Sequence, residues 1–173
     1  MKIAIVSDSH DNLATLEKAF SYLNKEGIKT VVHCGDVCAP GTLKEISRLF
    51  PGEIHLVFGN VDGDQYSMLK AREEGKLPNV KFYGDSGELD IDGRRIAFCH
   101  KPLPAQGLAA SGKYDLVFYG HTHQPGEEKT GKCRLVNPGT LAGMFSKATF
   151  AVYDTKTDKL ELKLVEKLQE SKN

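Results

Sequence analysis

The chain has 173 residues, 40% of them apolar and 27% charged, which fits one domain able to bury a core. Lysine plus arginine number 23, as do aspartate plus glutamate, so no global field draws in nucleic acid or membrane. No apolar run reaches the length of a membrane span, and the N-terminal run is too short for a signal peptide. The expected compartment is the cytoplasm.

Ile3, Ala4, Ile5 and Val6 form a continuous apolar run, the pattern of a strand covered on both faces. A helix is expected from about Asn12, with Leu13, Leu16, Phe20 and Leu23 on its inner face and Gly27 as its stop. A second strand follows at 30–33. The spacing then predicts a short helix over 42–50, with Leu43, Ile46, Leu49 and Phe50 inward and Pro51-Gly52 ending it. A third strand is expected at 54–58. Strand–helix alternation of this kind argues for a parallel α/β core.

The segment 62–76 is polar and reads as a loop with a short helix, anchored by Met68, Leu69 and Leu77. Strands are then expected at 80–83, 87–91 and 95–99, the last two joined by an Asp92-Gly93 hairpin turn. A short helix near 105–111 and a strand at 116–119 follow. Further strands are predicted at 133–136, 149–153 and 159–165, the last two joined by a polar turn. The charged tail from Glu166 is expected to fray. No repeat or linker divides the chain, so residues 1–173 read as one domain. The strands outnumber the needs of one doubly wound sheet. Two sheets packed face to face, with helices outside, would use them.

Five of these strands end in a turn that carries a potential metal ligand. The turns hold Asp8-Ser9-His10, Gly35-Asp36, Gly59-Asn60, His100 and Gly120-His121-Thr122-His123. Asp8 and His10 flank one residue, so in an extended chain both would face one side. A carboxylate such as Asp36 has two oxygens to share between metals. Singly, most of these residues read as turn or surface residues; in order, they describe strand ends converging on one polar site. The mixture of Asp, His and Asn suits Mn²⁺, Fe²⁺, Zn²⁺, Co²⁺ or Ni²⁺ and metal-assisted attack on phosphate. Cys34, Cys38, Cys99 and Cys133 have the spacing of neither a disulfide framework nor a zinc site. They read as reduced thiols, although Cys34 and Cys99 each abut a ligand segment.

The ordered set resembles the calcineurin-like metallophosphoesterase superfamily, from residue 1 to about residue 140. Ser7-Asp8-Ser9-His10, Gly59-Asn60-Val61-Asp62 and Asn137-Pro138-Gly139-Thr140 resemble its small single-domain prokaryotic branch. That branch holds simple phosphodiesterases and is related to the retromer subunit of the same fold. The resemblance implies an α/β fold, a four-layer α-β-β-α sandwich of two mixed sheets flanked by helices. It implies two divalent metal ions, with Mn²⁺ the first expectation. One would take Asp8, His10, Asp36 and His123; the other would take Asp36, Asn60, His100 and His121, with Asp36 bridging.

The implied activity is hydrolysis of a small or generic phosphodiester by a hydroxide bridging the two metals. The other readings are a phosphomonoesterase, or a scaffold that uses its surface as the retromer subunit does. The family also suggests a homodimer or tetramer. Two departures from the wider superfamily stand out. Val61 follows Asn60 where many members carry a His as general acid, a feature this branch also lacks. His100-Lys101-Pro102 replaces His-Gly-His, which leaves Lys101 as a candidate phosphate clamp or a solvated surface lysine. Asp62 reads as a ligand-orienting carboxylate or a turn residue, and Asn12 as a helix N-cap.

Overall fold

The computed structural model describes residues 1–168. In chain order the elements are β1 (Lys2–Val6), α1 (Leu13–Lys25), β2 (Thr30–His33), α2 (Pro40–Leu49), β3 (Glu53–Leu56) and α3 (Gln65–Glu73). Then come β4 (Val80–Phe82), β5 (Ser86–Ile91), β6 (Arg94–Cys99), α4 (Pro102–Ala110) and β7 (Leu116–Phe118). β8 (Gly126–Thr130), β9 (Cys133–Asn137), β10 (Thr149–Asp154) and β11 (Lys159–Leu164) complete the set, followed by a 3₁₀ turn at Val165–Lys167. The tail expected to fray starts at Glu166, within that turn, and residues 169–173 lie outside the described residues.

Two mixed sheets form, in the orders β11-β10-β1-β2-β3-β4 and β5-β6-β7-β9-β8. β1 to β4 run parallel, as do β6, β7 and β9, while the antiparallel pairs lie toward the edges. Alternation along β1 sorts its side chains into two cores. Ala4 and Val6 pack with Leu16, Phe20 and Leu23 of α1, Ile46 of α2 and Met68 of α3. Ile3 and Ile5 face Phe98, Leu116, Phe118 and Val136 of the second sheet. On that sheet's far side Ala105 and Ala109 of α4 meet Ala97, Val117 and Leu135. The result is the four-layer α-β-β-α sandwich that the resemblance implies.

Local signals explain most boundaries. Asn12 caps α1, its side chain accepting from the Thr15 N–H at 3.3 Å. Gly27 ends that helix with φ +68°, the left-handed turn that glycine adopts without strain. Asp92 (φ 53°) and Gly93 (φ 74°) are both left-handed, as the tight β5–β6 hairpin needs. Phe20 and Phe50 meet edge to face at 5.6 Å, an aromatic contact stabilising by about 0.5–1.5 kcal/mol beyond burial.

Several expectations need correction. α2 and α4 begin earlier than predicted, at Pro40 and Pro102, because proline suits the first helical turn, where its missing N–H goes unused. Leu13 opens α1 at the end of its buried stripe and is exposed, while Ala19 completes the stripe. Leu69 points outward from α3, where Met68 and Ala71 are the buried residues. Leu49 is only half-buried. β8 has no counterpart among the expected strands.

Candidate metal centre

Asp8 and His10 follow β1, Asp36 follows β2, Asn60 follows β3, His100 follows β6, and His121 and His123 follow β7. The turns after these strands are not extended, so strand alternation does not bring Asp8 and His10 together. Asp8, His10, Asp36, His121 and His123 all have positive φ, between 39° and 70°. Each such non-glycine residue costs on the order of 1 kcal/mol or more, and clustered strain of this kind marks functional sites. Glycines make room beside the ligands. A Cβ on Gly59 would overlap the Asp36 carboxylate, and one on Gly120 would strike Ser7 Oγ and the Asp8 carboxylate.

The ligand atoms converge in two groups. Asp8, His10 and His123 offer atoms mutually within 4.8 Å, and so do Asp8, Asp36 and His100. His10 Nε2 lies 3.1 Å from His123 Nε2. Asp8 Oδ1 lies 3.3 Å from His123 Nε2 and 3.8 Å from His10 Nε2. Asp36 Oδ2 stands between the halves, 3.7 Å from His10 Nε2 and 3.3 Å from His100 Nε2. Asn60 Oδ1 and His121 Nδ1 approach His100 Nε2 at 2.9 and 3.3 Å. All seven predicted ligands therefore meet in one place. Asp8 reaches both halves, more than the implied ligand sets allot to it.

The outer contacts aim the imidazoles. A carbonyl can only accept, so His100 Nδ1–H donates to Cys34 O at 2.8 Å and its Nε2 lone pair faces inward. His123 Nδ1–H donates to Met144 O at 3.3 Å with the same effect. His100 Nε2 thus meets oxygen and nitrogen lone pairs, an arrangement that requires a cation or a proton among them. Without metal the proton serves: burial lowers the His100 pKa, but the Asp36 carboxylate overrides it and the pKa is raised. Burial likewise pushes Asp36 upward, yet the His100 ring and the Val61 N–H hold its carboxyl below the ordinary value. Asp8 is raised, chiefly by burial. The donor set fits divalent metal.

Three further residues hold the turns. Asp62 Oδ2 accepts from the Asp36 and Gly59 N–H groups at 3.0 and 2.7 Å, and Oδ1 accepts from the Cys38 N–H at 2.8 Å. Asn137 Nδ2 donates to Gly120 O at 2.9 Å and Thr122 Oγ1 at 3.0 Å, steadying the His121–His123 turn. His33, fully buried, accepts the Gly35 N–H on Nδ1 at 3.2 Å, which leaves Nε2–H for Ser9 Oγ at 3.3 Å. His33 is not among the residues that the sequence pattern singles out for the site. Its signal was a polar residue closing a buried strand directly before Cys34-Gly35.

Lys101 is exposed at the start of α4 and has no ion pair among the described residues. It lines a pocket of about 290 Å³ with Asn60, His100 and Asp85. A larger cavity of about 840 Å³, between α1 and β11, contains none of these side chains. All four cysteines are free. Burial pushes Cys34 well up and Cys99 up to about 12, so both are inert thiols. It is Cys38 that touches a ligand, its Sγ 3.4 Å from His10 Nδ1.

Residues 1–158 match the calcineurin-like phosphoesterase superfamily domain. The chain belongs to this superfamily. A phosphodiesterase of Methanocaldococcus jannaschii is 32% identical over 158 residues, covering 90% of this chain and 93% of that one. Phosphodiesterase YfcE of Escherichia coli is 24% identical over 155 residues, covering 82% and 80%. Among solved structures, that of an archaeal phosphodiesterase superposes with a TM-score of 0.86 at 29% identity, over 95% of this chain and 99% of that one. Vps29 of Entamoeba histolytica shares the fold, with a TM-score of 0.68 at 17% identity over 95% and 99% of the two chains. As a calcineurin-like phosphoesterase, the chain has its candidate ligands on the strand-end turns of the superfamily domain. Among the described residues no helix is long and apolar enough to cross a membrane.

Proposed function

We propose that the chain is a metal-dependent phosphodiesterase that holds two divalent ions, Mn²⁺ foremost, and cleaves a small phosphodiester. The observation that carries this reading is the place of Asp36: one carboxylate oxygen lies between His10 Nε2 and His100 Nε2, at 3.7 and 3.3 Å. A carboxylate so placed would suit a bridge between two ions. Against the upward push of burial, the His100 ring and the Val61 N–H hold its pKa below the ordinary value, so the carboxylate is ionised in neutral solution. The phosphodiesterases among its relatives support the same class of reaction.

When bound, two such ions would supply hydroxide from a shared water near neutral pH and neutralise the phosphoryl oxygens. Asp8, His10 and His123 would hold one side, and Asn60, His100 and His121 the other. Cys34 O and Met144 O keep the His100 and His123 lone pairs directed inward. Lys101 would bring a positive charge to a non-bridging phosphoryl oxygen from the pocket at the His100 end. No histidine follows Asn60 to protonate the leaving group, so esters with good leaving groups are the favoured substrates.

The test is hydrolysis of bis(p-nitrophenyl) phosphate by metal-stripped protein reloaded with Mn²⁺, beside Asp36→Asn. Turnover that requires metal and vanishes in the variant is expected. Folded, metal-loaded protein that turns over nothing with Mn²⁺, Ni²⁺, Co²⁺ or Zn²⁺ would overturn the reading in favour of a scaffold. Faster cleavage of p-nitrophenyl phosphate than of the diester would shift it to a monoesterase.

A further inference from the structure

One side chain beside the centre is placed against the ordinary preferences of a folded chain. Phe145 is 91% exposed, and its backbone φ is +63°. A bulky residue in the left-handed region is strained, and an aromatic ring left in water forgoes burial. At 91% exposure, packing among the described residues offsets little of either cost; the ring's aromatic neighbour is His123, centroid to centroid 5.5 Å and tilted by 49°.

The loop around Phe145 is nevertheless pinned. Ser146 Oγ donates to the His123 carbonyl at 2.7 Å, and the Met144 carbonyl accepts from His123 Nδ1–H at 3.3 Å. The residues on both sides of Phe145 are thus tied to one candidate metal ligand. Met144, 43% exposed, extends the apolar surface. The opposite end of the centre differs in character, for Lys101, Asn60 and Asp85 line the pocket beside His100. A phosphodiester has two arms, and the two ends of this centre offer them unlike surroundings.

We infer that Phe145 is a substrate platform, its exposed ring stacking on an aromatic arm, nucleoside or aryl, of the phosphodiester at the His123 end. This narrows the substrate class and rests on the phosphodiesterase reading above. A flat π-face accepts any aromatic group in offset or edge contact, so the platform selects for aromatic character rather than for one base or ring.

Binding of diphenyl phosphate and dimethyl phosphate to the Mn²⁺-loaded protein, measured by calorimetry, tests the inference in the wild type, Phe145→Ala and Phe145→Trp. The wild type is expected to bind the diphenyl ester about tenfold more tightly than the dimethyl ester. Phe145→Ala should lose that preference, bind dimethyl phosphate as before and keep the urea midpoint of the wild type. Phe145→Trp should retain the preference. Because the chain has no other tryptophan, its emission would report contact with the phenyl ring directly. A wild-type preference that survives in Phe145→Ala, or no preference in the wild type, overturns the platform. Aromatic preference lost in Phe145→Ala, without any turnover of bis(p-nitrophenyl) phosphate, supports the platform as a binding site and sinks only the phosphodiesterase reading.

Discussion

The Asp62 carboxylate accepts the Asp36 backbone N–H at 3.0 Å and so holds the residue that stands between the two halves of the centre. The same oxygen takes the Gly59 N–H at 2.7 Å, which locks the turn after β2 to the turn after β3. Asp62→Asn puts an amide NH₂ against either this pair of donors or the Cys38 N–H, which the other oxygen accepts at 2.8 Å. Metal affinity should fall about 10–100-fold, the usual cost of disturbing a residue that orients ligands. The fold should lose about 2–4 kcal/mol, since three backbone donors share a charged acceptor. Calorimetric titration with Mn²⁺ and urea unfolding measure both. Unchanged metal affinity would remove Asp62 from the support of the centre.

Gly59 approaches Asp36 so closely that an added Cβ would meet the carboxylate and the Asp36 backbone nitrogen together. The backbone cannot give way without moving Asp36. Gly59→Ala should therefore lower diesterase activity about 100-fold, as expected for a displacement near 1 Å at a reacting centre. Gly107, inside α4 with open space around it, is the control. Gly107→Ala should leave activity alone and stabilise the helix by about 0.5–1 kcal/mol. Equal activity in both variants would show that the Gly59 contact does not position Asp36.

The contrast between these two glycines also shows what the sequence can and cannot reveal. Buried parallel strands are legible because both faces are covered: Ile3 to Val6 reads as one apolar run, and the ligands follow such runs in order. The Asp92-Gly93 turn is legible because its backbone demands those residues. β8 is not, because Gly126-Glu127-Glu128-Lys129-Thr130 is an exposed edge held by ladder bonds to β9, with no apolar face to read. The clamps made by Asp62, Asn137 and His33 arise only when separate strand ends meet, so local pattern carries little trace of them. The left-handed turns that aim Asp8 and His10 are likewise a tertiary result, and an extended-strand argument misses them.

Lys101 is exposed at the mouth of the His100 pocket, where a phosphoryl oxygen would come within reach. An exposed ammonium is screened by water and salt, so its effect should be moderate and should weaken as ionic strength rises. Lys101→Ala should raise KM for bis(p-nitrophenyl) phosphate about tenfold with little change in kcat, and Lys101→Arg should restore most of it. The wild-type advantage should shrink between low and high salt. A fall in kcat at unchanged KM would contradict a simple clamp and place Lys101 closer to the leaving group.

His33 gives the fold a dependence on acid. Burial drives its pKa from 6.5 down to about 4. Its neutral ring accepts from Gly35 and donates toward Ser9, so a second ring proton would break the Gly35 bond. Between those pH values the unfolded chain binds a proton that the folded chain refuses. The stability due to neutral His33 is therefore full above pH 6.5 and drains away as the pH falls toward 4, by about 3 kcal/mol. His33→Gln keeps one acceptor and one donor in similar places without a titrating group. Urea unfolding of metal-free protein at pH 7 and pH 4 should show the wild type losing about 3 kcal/mol more than the variant over this interval. Equal losses in the two proteins would mean that His33 titrates normally and that the buried Ser9–His33–Gly35 chain tolerates its charge.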